Sequence, residues 1–459
     1  MNTRGRIALC LVATLTASCG GRFSGCVLCH PAAANLQGSL SGLVGSRLTL
    51  QNGSTRLNEA HNGPDANGSS VLFGTADFGS SYNITVQTQP TNPSQTCLVA
   101  NGVGNIGSSD ITNIAVTCTT NPPRFLYVAN RGSGNVSGYT IDAASGVLAP
   151  IAGSPFATGS TPVAIAVDPT GAYAYVANQL SRTISAFAID RSSGALIAVS
   201  GSPFGTTPNP TSVAVDPSSS FVYVTSGSGG TVSAYSIVAG SGVLTPLTGL
   251  LTATGSSPSS VIVDPFGQFA YVSNEADGTF SALLIAPASG ALSAEPGSPF
   301  PAGSSPRALA LDPSGQTIYI ANSTANTLTG INGLPVNSTV TQSPIMGSPY
   351  ATGSLPVSIA VEPVDGFVYV ANQGSNNVSA FKLGSGTGVL TESAGSPFAA
   401  GALPSSVAVD PTGKFAYVAN SGSGTVSAYE INATSGALNA LSGSPFTTGL
   451  LPSALVVSH

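Results

Sequence analysis

Short apolar runs separated by Gly, Ser, Asn and Pro recur along most of the chain. In the most regular copy, four such runs occupy residues 406–409, 415–419, 425–431 and 437–441. Runs of this length, bounded by turn-forming residues, are typical of β-strands. Each copy is therefore predicted to fold as a four-stranded unit.

The second run of each copy ends in the motif that defines the repeat, which reads Tyr-Val-Ala-Asn at 417–420. Consecutive copies of its tyrosine are separated by 48, 48, 48, 48, 50 and 48 residues. Four-stranded units with such a period predict a β-propeller with one blade per copy. The seven tyrosines are Tyr127, Tyr175, Tyr223, Tyr271, Tyr319, Tyr369 and Tyr417.

The two ends of the array predict how the ring closes. The first copy lacks a strand before Tyr127, and a single apolar run at 453–457 follows the last complete copy. If this run completes the first blade, every strand type occurs seven times and no sheet edge stays open. We therefore predict an all-β, seven-bladed propeller over 124–459, closed by the C-terminal strand, with Val457 beside the strand of Tyr127.

Repeated acidic and amide residues belong to the turns of this pattern. Asp410-Pro-Thr-Gly413 has Asp, Pro and Gly where a type I turn favours them, and related turns follow Asp168, Asp264 and Asp312. We interpret these carboxylates as structural. The Asn that ends each second run is interpreted likewise, because Asn favours the backbone angles of hairpin loops. These residues are Asn130, Asn178, Asn274, Asn322, Asn372 and Asn420, with Ser226 in the remaining copy.

Residues 35–120 precede the repeats and show short alternating runs separated by Gly, Asn and Ser. This pattern predicts a small β-sandwich domain. Cys97 and Cys118 are the two cysteines of the segment, and a disulfide between them would contribute about 3 kcal/mol. Residues 121–123 contain paired prolines and are interpreted as a linker.

The first 19 residues are typical of a secretion signal. Arg4 and Arg6 precede an apolar stretch at 7–15 that is too short to span a bilayer. The following Leu-Thr-Ala-Ser-Cys resembles a bacterial lipoprotein processing site, which implies a lipid on Cys19 and a tether over 20–34. Ordinary signal cleavage is the alternative. The mature protein is expected in the cell envelope, in the periplasm or at the outer surface, with membrane contact only through its lipid.

Cys26, Cys29 and His30 match the C-x-x-C-H pattern of c-type haem attachment. A haem requires a packed apolar pocket and commonly a second ligand, whereas this motif lies close to Cys19 and precedes a β-rich segment. Two interpretations stay open. One is a haem c with an electron-transfer role, and the other is a disulfide or free thiols in the tether. Because the chain has only three His, we expect no metal site and no other cofactor.

Charged residues make up 7% of the chain, against about 25% in typical soluble proteins. The formal net charge is −6, with 12 Lys and Arg and no basic run. This composition excludes an electrostatic footprint for nucleic acid. We expect a monomer.

The seven Tyr-Val-Ala-Asn copies, with their Ser-Pro-Phe and Val-Asp-Pro-x-Gly motifs, resemble the YVTN-type propellers of the lactonase family, whose best-known members resemble 6-phosphogluconolactonases. The resemblance covers residues 124–459. It implies hydrolysis of a sugar-acid lactone by a cluster of His, Arg and acidic residues. The segment contains no His before His459, so this chemistry does not transfer residue by residue.

Candidate site residues are found where one copy departs from the others. Arg307 follows Pro306 where the other copies have Val, Thr or Ser, and is expected to stand alone at the channel mouth. Arg131, Arg182, Glu275 and Asp277 occupy loops between second and third strands that are elsewhere mostly Gly, Ser or Asn. Such charges could orient an anionic ligand; ordinary solvated loop charges are the alternative.

The regular array with few distinctive residues favours a binding or scaffold protein for a carbohydrate or protein partner. The alternative from another class is a lactonase that uses Arg307, Arg131 and Glu275. Electron transfer through a haem at residues 26–30 is a second alternative.

Overall fold

The computed structural model describes residues 33–61, 66–90, 94–122, 124–333, 343–364 and 366–458. These residues form β-strands joined by turns. They build two sheets near the N-terminus and seven sheets whose innermost strands surround a common axis. The part of the chain that the structure describes holds no helix that could traverse a bilayer.

The N-terminal segment contains two four-stranded sheets, β4-β1-β8-β6 and β3-β2-β5-β7. Its strands are β1 (Ala33–Ser41), β2 (Leu48–Asn52), β3 (Thr55–His61), β4 (Gly68–Asp77), β5 (Ser81–Thr88), β6 (Gln95–Ala100), β7 (Val103–Asn105) and β8 (Ile111–Thr120). Buried side chains from both sheets, among them Leu36, Leu50 and Phe73, form one core. Cys97 and Cys118 lie opposite each other on β6 and β8 and are joined by a disulfide. We call this unit the small domain.

Seven blades follow the small domain. Blade 1 comprises β9 (Phe125–Asn130), β10 (Asn135–Ile141), β11 (Leu148–Pro150) and β12 (Phe156–Ala157). Blade 2 comprises β13 (Pro162–Val167), β14 (Tyr173–Asn178), β15 (Thr183–Ile189), β16 (Leu196–Ala198) and β17 (Phe204–Gly205). Blade 3 comprises β18 (Pro210–Val215), β19 (Phe221–Ser226), β20 (Thr231–Val238) and β21 (Val243–Ala253). Blade 4 comprises β22 (Pro258–Val263), β23 (Phe269–Asn274), β24 (Thr279–Ile285), β25 (Leu292–Ala294) and β26 (Phe300–Pro301). Blade 5 comprises β27 (Pro306–Leu311), β28 (Thr317–Asn322), β29 (Thr327–Asn332), β30 (Ser343–Pro344) and β31 (Tyr350–Ala351). Blade 6 comprises β32 (Pro356–Val361), β33 (Phe367–Asn372), β34 (Asn377–Leu383), β35 (Leu390–Glu392) and β36 (Phe398–Ala399). Blade 7 comprises β37 (Pro404–Val409), β38 (Phe415–Asn420), β39 (Thr425–Ile431), β40 (Leu438–Ala440) and β41 (Phe446–Thr447).

Most blades carry a fifth short strand that the apolar pattern does not predict. In blade 2 the order is β13-β14-β15-β16, and β17, which follows the Ser-Pro segment, pairs with the opposite end of β15. The fourth strand is correspondingly short, because the chain leaves it after three residues and returns to the third strand. In blade 3 the continuous strand β21 replaces both short strands.

The C-terminal strand β42 (Pro452–Ser458) completes blade 1, as predicted. It pairs with β9 so that Val456 lies opposite Tyr127 and Val457 lies opposite Leu126. The Arg124 N–H also donates to the Ser458 carbonyl at 2.9 Å. Both ends of the repeat array therefore lie in one sheet, and the seven-bladed ring is closed.

Neighbouring blades are held together by the repeated tyrosines. Tyr127, which is fully buried, donates a hydrogen bond of 2.7 Å to the carbonyl of Gly194 in blade 2. Gly194 has a φ of 77°, and a Cβ there would lie 2.4 Å from the Phe125 ring. Only glycine fits this position, because the backbone is left-handed and the adjacent ring leaves no room. Burial raises the pKa of the Tyr127 hydroxyl, which stays protonated and acts as a donor.

The ring presents two faces. The Asn face carries the loops that follow the repeated Asn, and the Asp-Pro face carries the Asp-Pro turns. In those turns Asp410 accepts the N–H of Phe415 at 2.6 Å and that of Thr412 at 3.0 Å, so its carboxylate organises the turn as predicted. The small domain contacts the Asp-Pro face, where the Ser46 hydroxyl donates to the Pro265 carbonyl at 3.2 Å.

Candidate functional site

A polar cavity of about 550 Å³ opens at the centre of the Asn face. Two rings of equivalent positions surround it, and all of their members except Ser323 line it. Each first-ring residue follows the last residue of a second strand, and each second-ring residue follows the proline that starts an innermost strand. The first ring consists of Arg131, Gln179, Gly227, Glu275, Ser323, Gln373 and Ser421. The second ring consists of Val163, Thr211, Ser259, Arg307, Val357, Ser405 and Ser453.

The backbone positions the first ring in the same way in every blade. The N–H of Glu275 donates to the Ser257 carbonyl at 3.0 Å, and the N–H of Arg131 donates to the Leu451 carbonyl at 3.0 Å. Ser257 and Leu451 are left-handed, with φ values of 55° and 50°. A left-handed conformation costs about 1–2 kcal/mol for a residue other than glycine, and such strain is concentrated at functional sites. The first-ring residues are therefore held by backbone hydrogen bonds to left-handed residues of the adjoining loops.

Arg307 and Glu275 form an ion pair at this mouth, with Nε and Oε1 3.6 Å apart. Their side chains are 44% and 34% exposed, so both are open to a ligand. Arg307 does not stand alone as expected. Each innermost strand packs beside the second strand of the preceding blade, and this places Arg307 of blade 5 next to the loop of Glu275 in blade 4.

Arg131 lies on the same wall, in blade 1. Its Nη2 is 3.5 Å from Oε1 of Gln179, the equivalent residue of blade 2. Gln179 and Gln373 also line the mouth, although neither is among the residues that the sequence pattern indicates. They occupy the variable position directly after the repeated Asn, so comparison of that position among copies would have found them.

The structure does not bring Arg182 and Asp277 into the mouth. Arg182 has a φ of 57° and occupies the left-handed position of its hairpin, where blades 1, 3, 4 and 7 have Gly. Asp277 accepts the backbone N–H of Ser256 at 2.5 Å and thereby holds the adjoining loop. The mouth thus combines two arginines with one carboxylate instead of the larger set that the sequence indicated.

Hydroxyl groups of the second ring form a circle of hydrogen bonds around the channel. The hydroxyls of Thr211, Ser259, Ser405 and Ser453 each donate to the carbonyl of the proline that starts the next innermost strand, at 2.7, 2.9, 2.7 and 2.8 Å. Val163, Arg307 and Val357 have no hydroxyl, so the carbonyls of Pro210, Pro356 and Pro404 lack this donor. The circle of hydrogen bonds is therefore interrupted at three of its seven positions, one of which is Arg307.

The repeated Asn residues are structural, but for a different reason from the one predicted. Asn130 is buried, and its Nδ2 donates to Asn135 Oδ1 at 2.8 Å and to Ser137 Oγ at 2.9 Å. The left-handed residue of this hairpin is Gly134. It is therefore the amide side chain, not a special backbone angle of the Asn, that ties the second strand to the third.

The N-terminal candidates lie outside the described residues. This applies to the lipidation residue Cys19 and to the haem residues Cys26, Cys29 and His30. Within the described ranges, no group of three or more His, Cys, Asp or Glu side chains could hold a metal ion.

The arrangement at the mouth combines complementary chemical groups. The Arg307 guanidinium can stabilise negative charge on a ligand oxygen, and the adjacent Glu275 carboxylate can accept a proton. The glutamine side chains supply neutral donors and acceptors. Such a set suits a small polar molecule with a carbonyl or carboxyl group and several hydroxyls.

The model of a protein family described as the seven-bladed β-propeller lactonases matches residues 87–204, 201–292 and 284–449. A search among curated proteins gives no significant match. Similar solved structures include a candidate 6-phosphogluconolactonase from Bacteroides fragilis, with 19% identity and a TM-score of 0.65 over 74% of this chain and 99% of that one. The periplasmic gluconolactonase of Pseudomonas aeruginosa has 21% identity and a TM-score of 0.62 over 73% of this chain and 99% of that one. At these identities the structural matches establish the shared fold.

Proposed function

The chain belongs to the seven-bladed β-propeller lactonase family, and from this premise we propose that it hydrolyses a lactone of a sugar acid at the mouth of the Asn face. The observation that carries the proposal is the ion pair of Arg307 and Glu275, 3.6 Å apart at the open end of the channel. The family match favours this reading over the binding or scaffold role expected from the regular repeats.

In the proposed reaction, water attacks the lactone carbonyl carbon while Glu275 accepts a proton from that water. The carbonyl oxygen becomes negatively charged, and the Arg307 guanidinium stabilises this charge. The ring C–O bond then breaks, and the leaving oxygen takes the proton from Glu275 to become a hydroxyl. The product is the open-chain sugar acid, and both side chains return to their initial state.

Substrate hydroxyls would be recognised by the neutral groups of the wall. The hydroxyls of Thr211, Ser259 and Ser405 line the cavity, and their oxygens can accept a further hydrogen bond. Gln373 lies in the loop that follows β33 and can both donate and accept. A polyhydroxylated ring fits this wall better than an apolar lactone.

The test is acid release from aldonolactones with five- and six-membered rings, with and without a phosphate group, after subtraction of spontaneous hydrolysis. We expect Arg307→Ala to lower kcat/KM about 100-fold, because one oxyanion donor contributes about 10²–10³ in rate. Glu275→Gln should lower it by about 10²–10⁴, the usual contribution of a general base.

The matched control is Arg182→Asn, which removes an arginine from the same face but outside the mouth. Asn tolerates the left-handed backbone there, so activity should stay at the wild-type level. Absence of turnover above the blank across the panel would overturn the proposal. Turnover that survives both mouth variants would place the reaction elsewhere.

We also propose that the mature protein is exported and anchored through a lipid on Cys19. The support is the sequence Leu-Thr-Ala-Ser-Cys at 15–19, after a charged and apolar leader. Metabolic labelling with a radioactive fatty acid should mark the wild type and not Cys19→Ser. An unlabelled but exported wild type would favour ordinary signal cleavage instead, and a labelled Cys19→Ser protein would assign the lipid to another residue.

A further inference from the structure

A crevice of about 670 Å³ lies between the small domain and the Asp-Pro face of the propeller. Nine of the 12 Lys and Arg residues lie in the described ranges, and three of those nine line the crevice: Arg47, Arg124 and Arg191. No Asp or Glu among the described residues lines it. In a chain with only 12 Lys and Arg, this is a local concentration of cationic side chains, with the Asp168 and Asp216 carboxylates buried behind the wall.

The three arginines come from different parts of the fold. Arg47 precedes β2 in the small domain, Arg124 immediately precedes β9 at the closure of the ring, and Arg191 follows β15 in blade 2. The Arg124 N–H is fixed to the Ser458 carbonyl at 2.9 Å. Arg191 Nη2 donates to the Thr170 carbonyl at 3.1 Å. The crevice therefore exists only where the small domain meets the closed propeller.

The amide side chains of the crevice stabilise its wall. Gln95 is 1% exposed, and its Oε1 accepts the N–H groups of Val44 and Gly45 at 2.8 and 2.7 Å. Its Nε2 donates to the Gly42 carbonyl at 2.8 Å. These bonds order the loop that carries Arg47. Because the Gln95 amide is used in this way, the guanidinium groups are the main donors that a ligand would meet. Arg124 lies over the Phe125 ring, 5.4 Å from its centre, and Arg191 uses one N–H group on Thr170, which leaves further N–H groups on each.

Hydroxyl groups of the opposite wall present acceptors. The Ser219 hydroxyl donates to Asp168 at 3.0 Å, and the Ser218 hydroxyl donates to Asp216. Both carboxylates are almost fully buried. A hydroxyl that donates to a buried carboxylate keeps its oxygen lone pairs for another donor. The wall thus offers acceptors for ligand hydroxyls beside cationic donors for ligand carboxylates.

We propose that this crevice binds an acidic saccharide, a ligand that combines carboxylate groups with several hydroxyls. Arginine guanidiniums pair with carboxylates through two parallel hydrogen bonds, and the serine oxygens accept from sugar hydroxyls. The volume lies within the range of about 300–1,000 Å³ that ligand sites occupy, and it exceeds what one inorganic anion needs. The site is separate from the mouth of the Asn face and does not depend on lactone hydrolysis.

Isothermal titration of the mature full-length protein with trigalacturonate tests the proposal, with maltotriose as the neutral counterpart. We expect trigalacturonate to bind and maltotriose to show no heat of binding at the same concentrations. The double variant Arg124→Gln with Arg191→Gln should weaken binding at least tenfold. Binding should also weaken as salt is raised, because salt screens exposed charges.

Arg56→Gln is the matched control, because Arg56 lies in the small domain outside the crevice. The affinity of this variant for trigalacturonate should stay within twofold of the wild type. Titration with the galacturonate monomer distinguishes a free sugar acid from an acidic polysaccharide as the ligand. Equal affinity for monomer and trimer indicates a free sugar acid, and at least tenfold tighter binding of the trimer indicates an acidic polysaccharide. Urea unfolding of each variant checks that the protein is folded.

Equal binding of maltotriose, no binding of trigalacturonate, or an unchanged affinity in the double variant would overturn the proposal. Loss of binding in Arg307→Gln alone would assign the ligand to the mouth instead. The double variant should hydrolyse lactones at the wild-type rate, so a failure of the lactonase proposal and a failure of the crevice proposal are distinguishable.

Discussion

The hydroxyl of Tyr417 donates a hydrogen bond of 2.9 Å to the carbonyl of Gly146, which precedes it by 271 residues in the chain. The same bond joins consecutive blades elsewhere, as from Tyr369 to Gly436 at 3.0 Å. The junction between the last and first blades is therefore built like the others, although only β42, and not the other strands of blade 1, follows blade 7 in the chain. This equivalence underlies the first two predictions.

Tyr417→Phe should destabilise the propeller by about 1–3 kcal/mol, because the buried carbonyl of Gly146 loses its donor. Tyr369→Phe is the matched substitution at an internal junction and should cost about the same. The measurement is the midpoint of urea unfolding for both variants. A much larger cost at Tyr417 would show that the closing junction is the weaker point of the ring.

Removal of residues 452–459 should prevent stable closure. The deletion exposes the edge of β9, including Val128 and Leu126, and an unpaired strand edge promotes aggregation. We expect loss of cooperative unfolding and a shift to large species in size-exclusion chromatography. Ser453→Ala, which removes only the hydroxyl bonds to Ala129 and Pro162, should elute at the wild-type volume. A truncated protein that unfolds like the wild type would contradict the closure.

Arg182→Gly should stabilise the protein by about 1 kcal/mol. Arg182 has a φ of 57°, and a left-handed conformation is unfavourable for any residue with a Cβ. The control is Arg131→Gly, whose backbone is not left-handed; there glycine should give no gain. The comparison uses thermal unfolding midpoints, and a loss of stability in Arg182→Gly would indicate that the side chain makes a compensating contribution.

Stability should rise as the pH falls from 7 towards 4. Burial raises the pKa of Asp264, Asp312 and Asp410 above the ordinary value. Their contribution is fully present below the unfolded pKa of about 3.9 and is lost as the pH rises through the higher folded pKa. Asp410→Asn keeps an oxygen for the Phe415 N–H and should flatten this part of the profile. Urea midpoints between pH 4 and 8 provide the measurement.

The trend should reverse in stronger acid. Hydrogen bonds from Ser192 and Ser193 lower the pKa of Asp190 to about 2, and bonds from Ser145 lower that of Asp142. A lowered pKa contributes stability above the unfolded value that is lost as the pH falls through the folded one. We expect maximum stability near pH 4. A continued rise below pH 3 would contradict this assignment.

The fold was largely predictable because the same pattern of strands and turns occurs in seven copies. Each copy carries its own strand runs and Asp-Pro turn, and an error in one copy is corrected by the others. The short strand β17 was missed because two residues give no periodicity. The reason for the repeated Asn was also missed, because a hydrogen bond from Asn130 to Ser137 across a hairpin leaves no mark in a hydrophobic pattern.

The candidate site was only partly predictable. Arg307 and Glu275 were selected because they differ from their equivalents, but so were Arg182 and Asp277, which the structure assigns to loop conformation. Gln179 was overlooked because an amide looks ordinary in a chain rich in polar loops. Departure from the repeat identifies unusual residues without distinguishing a ligand contact from a local backbone requirement.

The sequence by itself determined the seven blades, their turns and the closing strand, since strand periodicity and turn chemistry act over a few residues and are written directly in the chain. Only the tertiary structure decided that Arg307 pairs with Glu275 across two blades, and that Arg47, Arg124 and Arg191 meet between two domains. Those encounters depend on how strands from distant segments pack around the axis, and the spacing of residues along one chain does not encode that angular position.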